Sequence, residues 1–260
     1  MTPRFKAIPL PAVFLRTPLT HRALHDRARG RVENSPSAIR AARAAGYGIE
    51  IDLQLSSDGV AMVFHDENLD RLTAEQGPLN ARTAADLSRI ALKDSTDTIP
   101  TFAEVLTLIA GTVPLLIEIK DQTLTLSETD GRLEAQVAHD LERYSGPTAL
   151  MSFNPHCVAH LARLAPNLPR GLTTSAYADD WAPLPKTTRD RLREIPDYDR
   201  TLSSFISHEA SDLPRPRVAE LQAQGAVILC WTIRSLQAEA EARKIAQNIT
   251  FEGYTAAFPA

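Results

Sequence analysis

Cysteine is scarce in this sequence. Its 260 residues include two, Cys157 and Cys230, which lie far apart and lack the spacing of metal ligands. A disulfide-rich scaffold needs several cysteines, and a structural zinc site needs them in closely spaced pairs. We therefore expect neither architecture, and we predict that both thiols are free and buried.

An excess of positive charge is also lacking. The chain carries 28 lysines and arginines against 32 aspartates and glutamates, and its isoelectric point is about 6.0. Nucleic-acid-binding domains usually show a basic excess. Nucleic acid is therefore not an expected partner.

Long apolar runs are missing as well. No stretch approaches the roughly 18 apolar residues of a membrane-spanning helix. Residues 1–16 are expected to form an irregular lead-in, and Pro9 and Pro11 interrupt its apolar part, which makes a poor signal-peptide core. No segment is amphipathic and basic enough to indicate a membrane-surface helix. We therefore expect a soluble, cytoplasmic protein with no stable membrane insertion.

Strand and helix patterns alternate along the chain. Ser35-Pro36 and Asn154-Pro155, for example, each combine an N-cap residue with a proline at the first helical position. Such alternation indicates parallel strands joined by crossover helices, and about eight units at this length favour a TIM-type (β/α)8 barrel over an open doubly wound sheet. No repeat or clear linker interrupts the pattern, so we predict one barrel domain over residues 1–260.

The segment Tyr47–Asp66 breaks the alternation, because it reads as two strands joined by a tight turn. Glu50 and Asp52 alternate with aliphatic residues, so their carboxylates share one face of the first strand. Asp58-Gly59 is typical of a type I′ hairpin turn, whose register would place Asp52 opposite His65. We therefore predict a β-hairpin after the second barrel strand, with its returning strand antiparallel.

Two interpretations of this polar face are open. It could be a solvated hairpin edge, or it could bind a divalent cation through its carboxylates. Polar residues also end other predicted strands: His21-Arg22 the first, and Glu118 and Lys120 the one after the hairpin. Active sites of TIM-type barrels lie at these strand ends, which favours the metal interpretation. His65 beside such a site would suit acid/base chemistry near neutral pH.

An ordered set of short motifs runs through the chain, each of them weak alone and specific together. They are His21-Arg22, Glu33-Asn34, Glu50-x-Asp52, Asp58-Gly59, His65-Asp66, Glu118-x-Lys120, Met151-Ser152-Phe153 and Trp231-Thr232-Ile233. This set resembles the glycerophosphodiester phosphodiesterase family and spans most of the chain. The resemblance implies a TIM-type barrel and a metal-dependent hydrolysis of glycerophosphodiesters, small-molecule substrates, to sn-glycerol 3-phosphate and an alcohol.

The resemblance also implies a set of metal ligands. Carried over by position, Glu50, Asp52 and Glu118 would bind one divalent cation, Mg²⁺ or Ca²⁺. Carboxylate ligands alone do not separate the two ions.

The remaining site residues follow in the same way. His21 and His65 would be the general acid and base, and Arg22 and Lys120 would hold the phosphate. In the family a glycerol hydroxyl attacks first and forms a cyclic phosphate, which water then opens. Two histidines on opposite sides of the phosphorus can serve both steps, while the cations balance the developing negative charge.

The sequence departs from the family pattern at two places. Ala23 follows His21-Arg22 where the family usually has glycine, which costs about 1 kcal/mol if that position needs a positive φ. The last strand reads Ile249–Tyr254, where many members have Thr-Asp near a proline. We expect this second change to affect the strand more than the site.

Several assignments stay open. Asp66 either orients His65 or caps the following turn, and Glu33 and Asn34 either organise a helix start or support the site from behind. His25 needs no role. Three further residues could line the pocket: Phe153, Trp231 and His208.

Rival functions come from other classes of protein. A related barrel phosphodiesterase could act on lysophospholipids in a phospholipase D-like reaction, on sphingomyelin or on phosphoinositides. A non-catalytic phosphate-binding barrel would be expected to lose a histidine or a metal carboxylate. A metal-dependent aldolase or isomerase would show a Schiff-base or metal-histidine pattern, which is not evident. The sequence identifies neither the head group of the substrate (choline, ethanolamine, glycerol or inositol) nor the oligomeric state of the protein.

Overall fold

Eight parallel strands pair in a closed ring in the computed structural model, which describes residues 6–259. The strands are, in chain order, β1 Leu19–Thr20, β2 Gly48–Leu55, β3 Ala61–Val63, β4 Leu115–Ile119, β5 Thr148–Ser152, β6 Arg170–Thr174, β7 Phe205–Glu209, β8 Val227–Ile233 and β9 Asn248–Phe251. All but β3 belong to the ring, which closes because β1 pairs with both β2 and β9. β3 runs antiparallel to β2. The predicted TIM-type barrel with a hairpin after its second strand is therefore confirmed.

Helices alternate with the barrel strands along the chain, as the sequence pattern predicts. They are α1 Val13–Arg16, α2 Pro36–Ala44, α3 Ala84–Leu87, α4 Phe102–Ile109, α5 Arg132–Leu141, α6 Pro155–Leu164, α7 Lys186–Arg193, α8 Pro216–Ala223 and α9 Leu236–Ala242. The predicted caps of α2 and α6 are confirmed, because the side chains of Ser35 and Asn154 accept bonds from backbone amides in the first helical turn. Within residues 6–259, no helix has the length and apolar character needed to cross a bilayer.

The start of the chain differs in part from its prediction. Residues 1–5 of the expected lead-in lie outside the described residues, as does Ala260 of the expected domain. The rest of the lead-in is less irregular than predicted, because α1 forms within it and buries Phe14 completely. Phe14 joins the apolar cluster of inward-facing strand residues, so contacts with the barrel stabilise a helix too short to persist alone.

The barrel interior changes character along its axis. Near the amino-terminal strand ends it is apolar and contains Leu116, Phe205 and Leu229. Gly171 makes room there, since a Cβ at this position would lie 2.4 Å from Cδ2 of Phe205 and 2.5 Å from its carbonyl oxygen. Near the carboxyl-terminal ends the inward positions become polar. The packed lower layer thus forms the floor of a polar upper layer.

The hairpin register differs by one residue from the prediction. Leu53 pairs with Val63, so Phe64, and not His65, lies opposite Asp52 and donates its amide to the Asp52 carbonyl at 3.0 Å. His65 lies beyond the last residue of β3, and strand alternation therefore does not determine its side.

A loop of three residues explains the shift. The Ser56 amide donates to the Val60 carbonyl at 3.0 Å, which leaves residues 57–59 between the strands. The Ser56 hydroxyl supports this loop by bonding the Asp58 carboxylate at 2.6 Å and accepting from the Val60 amide at 2.9 Å. Gly59 has a φ of +85°, but Asp58 has no positive φ and so cannot form a type I′ turn.

Both cysteines are free and buried, as predicted. The polar segment 176–201 is an insertion that contains α7 and a 3₁₀ turn at Asp179–Trp181. This insertion follows β6 and therefore lies on the side of the barrel where the strands end.

Candidate active site

A cavity of about 320 Å³ lies at the carboxyl-terminal ends of the barrel strands. All seven residues predicted to form the site line it: His21, Arg22, Glu50, Asp52, His65, Glu118 and Lys120. The barrel brings together residues that are up to 99 positions apart in the sequence, because each lies on or shortly after one of the neighbouring strands β1 to β4.

Three carboxylates form the floor of this cavity. Asp52 on β2 lies beside Glu118 on β4 in the parallel register, and Glu50 stands two residues earlier on the same face. All three side chains are buried, and oxygens from each lie within 4.8 Å of one another. Burial raises the pKa of Glu50, and the charges of its two neighbours raise it further. A buried set of hard oxygen donors fits a divalent cation such as Mg²⁺ or Ca²⁺.

Two cationic side chains approach the same carboxylates. Lys120 Nζ lies 3.0 Å from Glu118 Oε1 and 3.5 Å from Asp52 Oδ1, and Arg22 Nε lies 3.7 Å from Asp52 Oδ2. Burial alone would raise the pKa of Asp52, but the charges of His65, Lys120 and Arg22 outweigh it and hold that pKa far below its usual range. Asp52 is therefore an anion even within the cluster.

The backbone after β1 is bent so that it faces the carboxylates. Arg22 and Ala23 have φ values of +50° and +65°, and the Arg22 amide donates to Glu50 Oε2 at 2.8 Å. The positive φ suspected at Ala23 is confirmed, and a left-handed conformation costs roughly 1–2 kcal/mol at a residue with a Cβ. The left-handed backbone conformation explains why glycine is favoured at this position. Ala23 adopts the same conformation despite its Cβ.

His21 is held by an acid that the sequence interpretation missed. Its Nδ1 lies 2.5 Å from Oε2 of Glu252, the same oxygen is 3.3 Å from His25 Nε2, and Arg234 Nε lies 2.7 Å from the other oxygen. The expectation that the change in the final segment affects the strand more than the site is therefore wrong. His25, for which no role is predicted, contacts the same acid. Burial lowers the pKa of His21 although the Glu252 hydrogen bond raises it.

His65 is held in the same way on the opposite side. Its Nδ1 lies 2.6 Å from Asp66 Oδ1, and Arg71 Nε lies 2.6 Å from the second oxygen of Asp66. Arg71 also bonds both oxygens of Glu33, which in turn accepts from Arg22 at 2.8 Å. Asp66 thus contacts the His65 ring, and Glu33 joins the two arginines behind the cavity.

Asn34 supports the floor of the cavity from below. Its amide nitrogen donates to Asp52 Oδ2 at 2.9 Å, and its own φ is +58°. Of the two alternatives for Glu33 and Asn34, support of the site from behind describes their contacts. The spacing of the sequence motifs does not indicate this support. The hydrogen bond between Asn34 and Asp52 forms only because the loop after β1 lies against β2.

Two of the three undecided residues line the cavity. Phe153 and Trp231 form part of its wall, with ring centroids 5.5 Å apart, and Trp231 Nε1 donates to the Ser207 carbonyl at 3.0 Å. His208 is outside the cavity: strand alternation points Ser207 inward and His208 outward, where its Nδ1 lies 2.8 Å from Thr174 Oγ1.

The insertion after β6 adds two residues that sequence reasoning did not select. Asp180 and Trp181 line the cavity, and the Trp181 ring lies 4.9 Å from that of Phe153. The only available signal was a tryptophan within a polar segment that follows a barrel strand.

The fold and the cavity together define a TIM-type barrel with buried carboxylates, cations and two carboxylate-bound histidines at the strand ends, where enzymes of this fold have their active sites. The sequence model of the glycerophosphoryl diester phosphodiesterase family matches residues 21–248. The chain belongs to this family, and the family predicted from the motifs is confirmed.

Individual relatives agree with this assignment. A glycerophosphodiester phosphodiesterase of Caldanaerobacter subterraneus is 30% identical over 148 residues, which cover 54% of this chain and 60% of that protein. The match thus spans about three fifths of that relative. Among solved structures, a phosphodiesterase of Oleispira antarctica in complex with the product sn-glycerol-3-phosphate has a TM-score of 0.74 at 23% identity, covering 92% of this chain and 93% of that one.

A glycerophosphodiester phosphodiesterase of Thermotoga maritima has a TM-score of 0.68 at 16% identity, with 90% of this chain and 94% of that chain covered. At such identities the likeness to either structure shows the fold alone, and it agrees with the closed parallel barrel described above.

Proposed function

We propose that the chain hydrolyses glycerophosphodiesters to sn-glycerol 3-phosphate and an alcohol, with one divalent cation, Mg²⁺ or Ca²⁺, in the carboxylate cluster. The observation that carries the proposal is the cavity in which three buried carboxylates face two histidines, in a chain of this family. The product complex of the related Oleispira antarctica phosphodiesterase supports the same reaction. We further propose that residues 1–260 act as one domain on this small-molecule substrate.

Glu50, Asp52 and Glu118 would hold the cation. When bound, it would supply a positive charge that polarises a phosphoryl oxygen and balances the negative charge of the transition state. Arg22 and Lys120 would hold the phosphate. Arginine can do this in a bidentate manner, whereas the lysine ammonium acts as a compact charge.

His21 would serve as the base of the first step and His65 as its acid. Nδ1 of His21 is hydrogen-bonded to Glu252, and Nδ1 of His65 to Asp66. In each ring Nε2 is therefore the nitrogen available to the substrate. Because burial lowers the pKa of His21, its ring is neutral near pH 7 and can accept a proton.

The proton movements then balance. His21 takes the proton of the glycerol hydroxyl as that oxygen attacks phosphorus, and His65 gives a proton to the leaving alcohol oxygen as its bond to phosphorus breaks. The cyclic phosphate remains. In the second step His65 takes a proton from water, the water oxygen attacks phosphorus, and His21 returns its proton to the released glycerol oxygen.

The test is release of sn-glycerol 3-phosphate from several glycerophosphodiesters by purified protein, after chelation with EDTA and after addition of Mg²⁺ or Ca²⁺. We expect release that depends on the cation and that falls by roughly 10²- to 10⁴-fold in His65→Ala. The matched control is His139→Ala, because this exposed histidine lies on α5, away from the cavity. Folded, cation-supplied protein that releases no product from any diester would contradict the proposal.

A further inference from the structure

A second cavity of about 380 Å³ continues outward from the catalytic one. Both cavities are lined by Glu118, Lys120, Phe153, Asp180 and Trp181. The outer groove adds residues of the loops after β3 and β4 and of the insertion after β6. A group esterified to a phosphate held by Lys120 can therefore extend into this groove. We assign the leaving alcohol of the substrate to this groove, and that assignment rests on the proposed reaction.

One wall of the groove is aromatic and firmly supported. The Phe153 and Trp181 ring centroids are 4.9 Å apart, and Tyr177 packs against Trp181 at 5.0 Å. Both groove rings rest on a buried apolar cluster that includes Tyr177, Leu126 and Leu184. Rings held in this way present their faces without the cost of ordering them when a ligand binds. Such faces attract organic cations, and quaternary ammonium groups above all.

The groove also carries carboxylates that no cation balances. Glu67 and Asp180 line it and are exposed, and neither forms an ion pair with any other residue in the described range 6–259. Arg22 and Lys120 lie at the inner, phosphate end. With a cation bound among the three carboxylates of the inner cavity, that end would offer positive charge to the phosphate, while Glu67 and Asp180 would offer negative charge where the leaving group extends.

We propose that this groove selects diesters whose leaving alcohol carries an alkylammonium group, so that the preferred substrate is a zwitterion. The phosphate would meet Arg22 and Lys120, while the ammonium would lie against the faces of Trp181 and Phe153 near Asp180 and Glu67. A fatty acyl chain would contact the apolar part of the lining, Leu124, Leu126 and Leu184, but it would leave Glu67 and Asp180 without a cation and partly desolvate them. A neutral polyol would gain nothing from the aromatic faces or from the negative charge.

The decisive comparison uses substrates of equal shape. The 3,3-dimethylbutyl ester of glycerol phosphate replaces the quaternary nitrogen of glycerophosphocholine by carbon and removes the charge. We expect kcat/KM for the choline ester to exceed that for its neutral isostere by roughly tenfold, mostly through KM. Glycerophosphoethanolamine tests a primary ammonium in the same groove, and glycerophosphoglycerol tests a neutral polyol.

Variants locate the preference in the groove. Asp180→Asn and Glu67→Gln remove charge with little change of shape, and Trp181→Leu removes the aromatic face. Each should lower the ratio of the choline ester to the neutral isostere by about threefold, and the double charge variant should bring the ratio close to one. Asp179→Asn is the matched control, because Asp179 is an exposed neighbour that lines neither cavity.

Equal kcat/KM for the charged and neutral esters, or equal losses for both esters in the variants, would overturn the inference while leaving the proposed hydrolysis intact. If no diester is hydrolysed, the groove is still testable. Choline alone should then quench tryptophan fluorescence in the intact protein, and this quenching should be lost in Trp181→Leu and weakened by salt. Absence of quenching in that case would overturn the inference as well.

Discussion

Nδ1 of His21 lies 2.5 Å from Oε2 of Glu252, and this contact joins the first and last strands of the barrel at the catalytic cavity. Hydrogen bonds from His21 and His25 hold the pKa of Glu252 well below its usual range, so Glu252 is an anion. The carboxylate therefore fixes the ring and favours the tautomer with the proton on Nδ1, which leaves Nε2 free to act as the proposed base.

Glu252→Gln should reduce kcat by about 10- to 100-fold with a small change in KM. It should also move the pH profile in a defined direction. The Glu252 bond raises the pKa of His21 against the lowering effect of burial, so its loss lowers that pKa further. A base with a lower pKa loses its proton at lower pH, and the acidic limb of kcat/KM should shift to lower pH. Glu252→Asp should retain part of the activity, and an unmoved limb in Glu252→Gln would contradict a positioning role.

Arg71 positions the opposite histidine through Asp66. Its guanidinium donates hydrogen bonds to both Asp66 and Glu33. Arg71→Met should therefore leave the Asp66 carboxylate free to rotate away from His65. We expect about a tenfold loss of kcat, with KM changed less, in steady-state kinetics. Lys93→Met is the control, since Lys93 is also exposed and bonds the backbone beside Arg71. Equal losses in the two variants would indicate a general loss of local structure.

The carboxylate cluster should couple cation binding to stability. Three buried carboxylates repel one another, and burial with this repulsion raises the pKa of Glu50. In chelated protein we expect Ca²⁺ or Mg²⁺ to raise Tm with increasing concentration, because the cation binds the folded state. Glu50→Gln should abolish most of this increase while leaving Tm without cation unchanged or higher. A cation response that survives in Glu50→Gln and in Glu118→Gln would place the ion elsewhere.

Packing in the lower layer of the barrel depends on Gly171. An added Cβ would stand 2.4 Å from the Phe205 ring and 2.5 Å from its carbonyl oxygen, so Gly171→Ala should destabilise the fold by roughly 1–3 kcal/mol. Urea unfolding measures the loss. Phe205→Leu in the same chain should recover part of it, because the smaller side chain relieves the contact with the ring. Additive losses in the double variant would contradict direct crowding.

Much of the fold could be predicted from local pattern. Ser35 and Asn154 cap helices as expected, because N-cap chemistry is decided within one turn. Part of the candidate site could be selected because strand alternation puts Glu50 and Asp52 on one face, whatever the rest of the chain does. The barrel followed from repeated alternation of strands and helices.

The predictions from sequence were wrong or incomplete where the local structure depends on side-chain hydrogen bonds or on contacts between residues far apart in the chain. The hairpin register depends on the Ser56 hydroxyl, which stabilises a three-residue loop in place of the expected two-residue turn. The contact between His21 and Glu252 spans 231 residues and forms only when β9 closes the barrel against β1. Asp180 and Trp181 belong to an insertion whose position over the cavity no periodicity indicates.

The fate of the oxygen atoms distinguishes the proposed hydrolysis from other ways of cleaving the diester. A glycerophosphodiester is hydrolysed in H₂¹⁸O with cation present, and the products are followed by ³¹P NMR. We expect a transient cyclic phosphate, then sn-glycerol 3-phosphate with one ¹⁸O on phosphorus and an unlabelled alcohol, and a strongly reduced rate of conversion by His65→Ala. Release of free glycerol together with the phosphorylated head group, or label in the released alcohol, would contradict it.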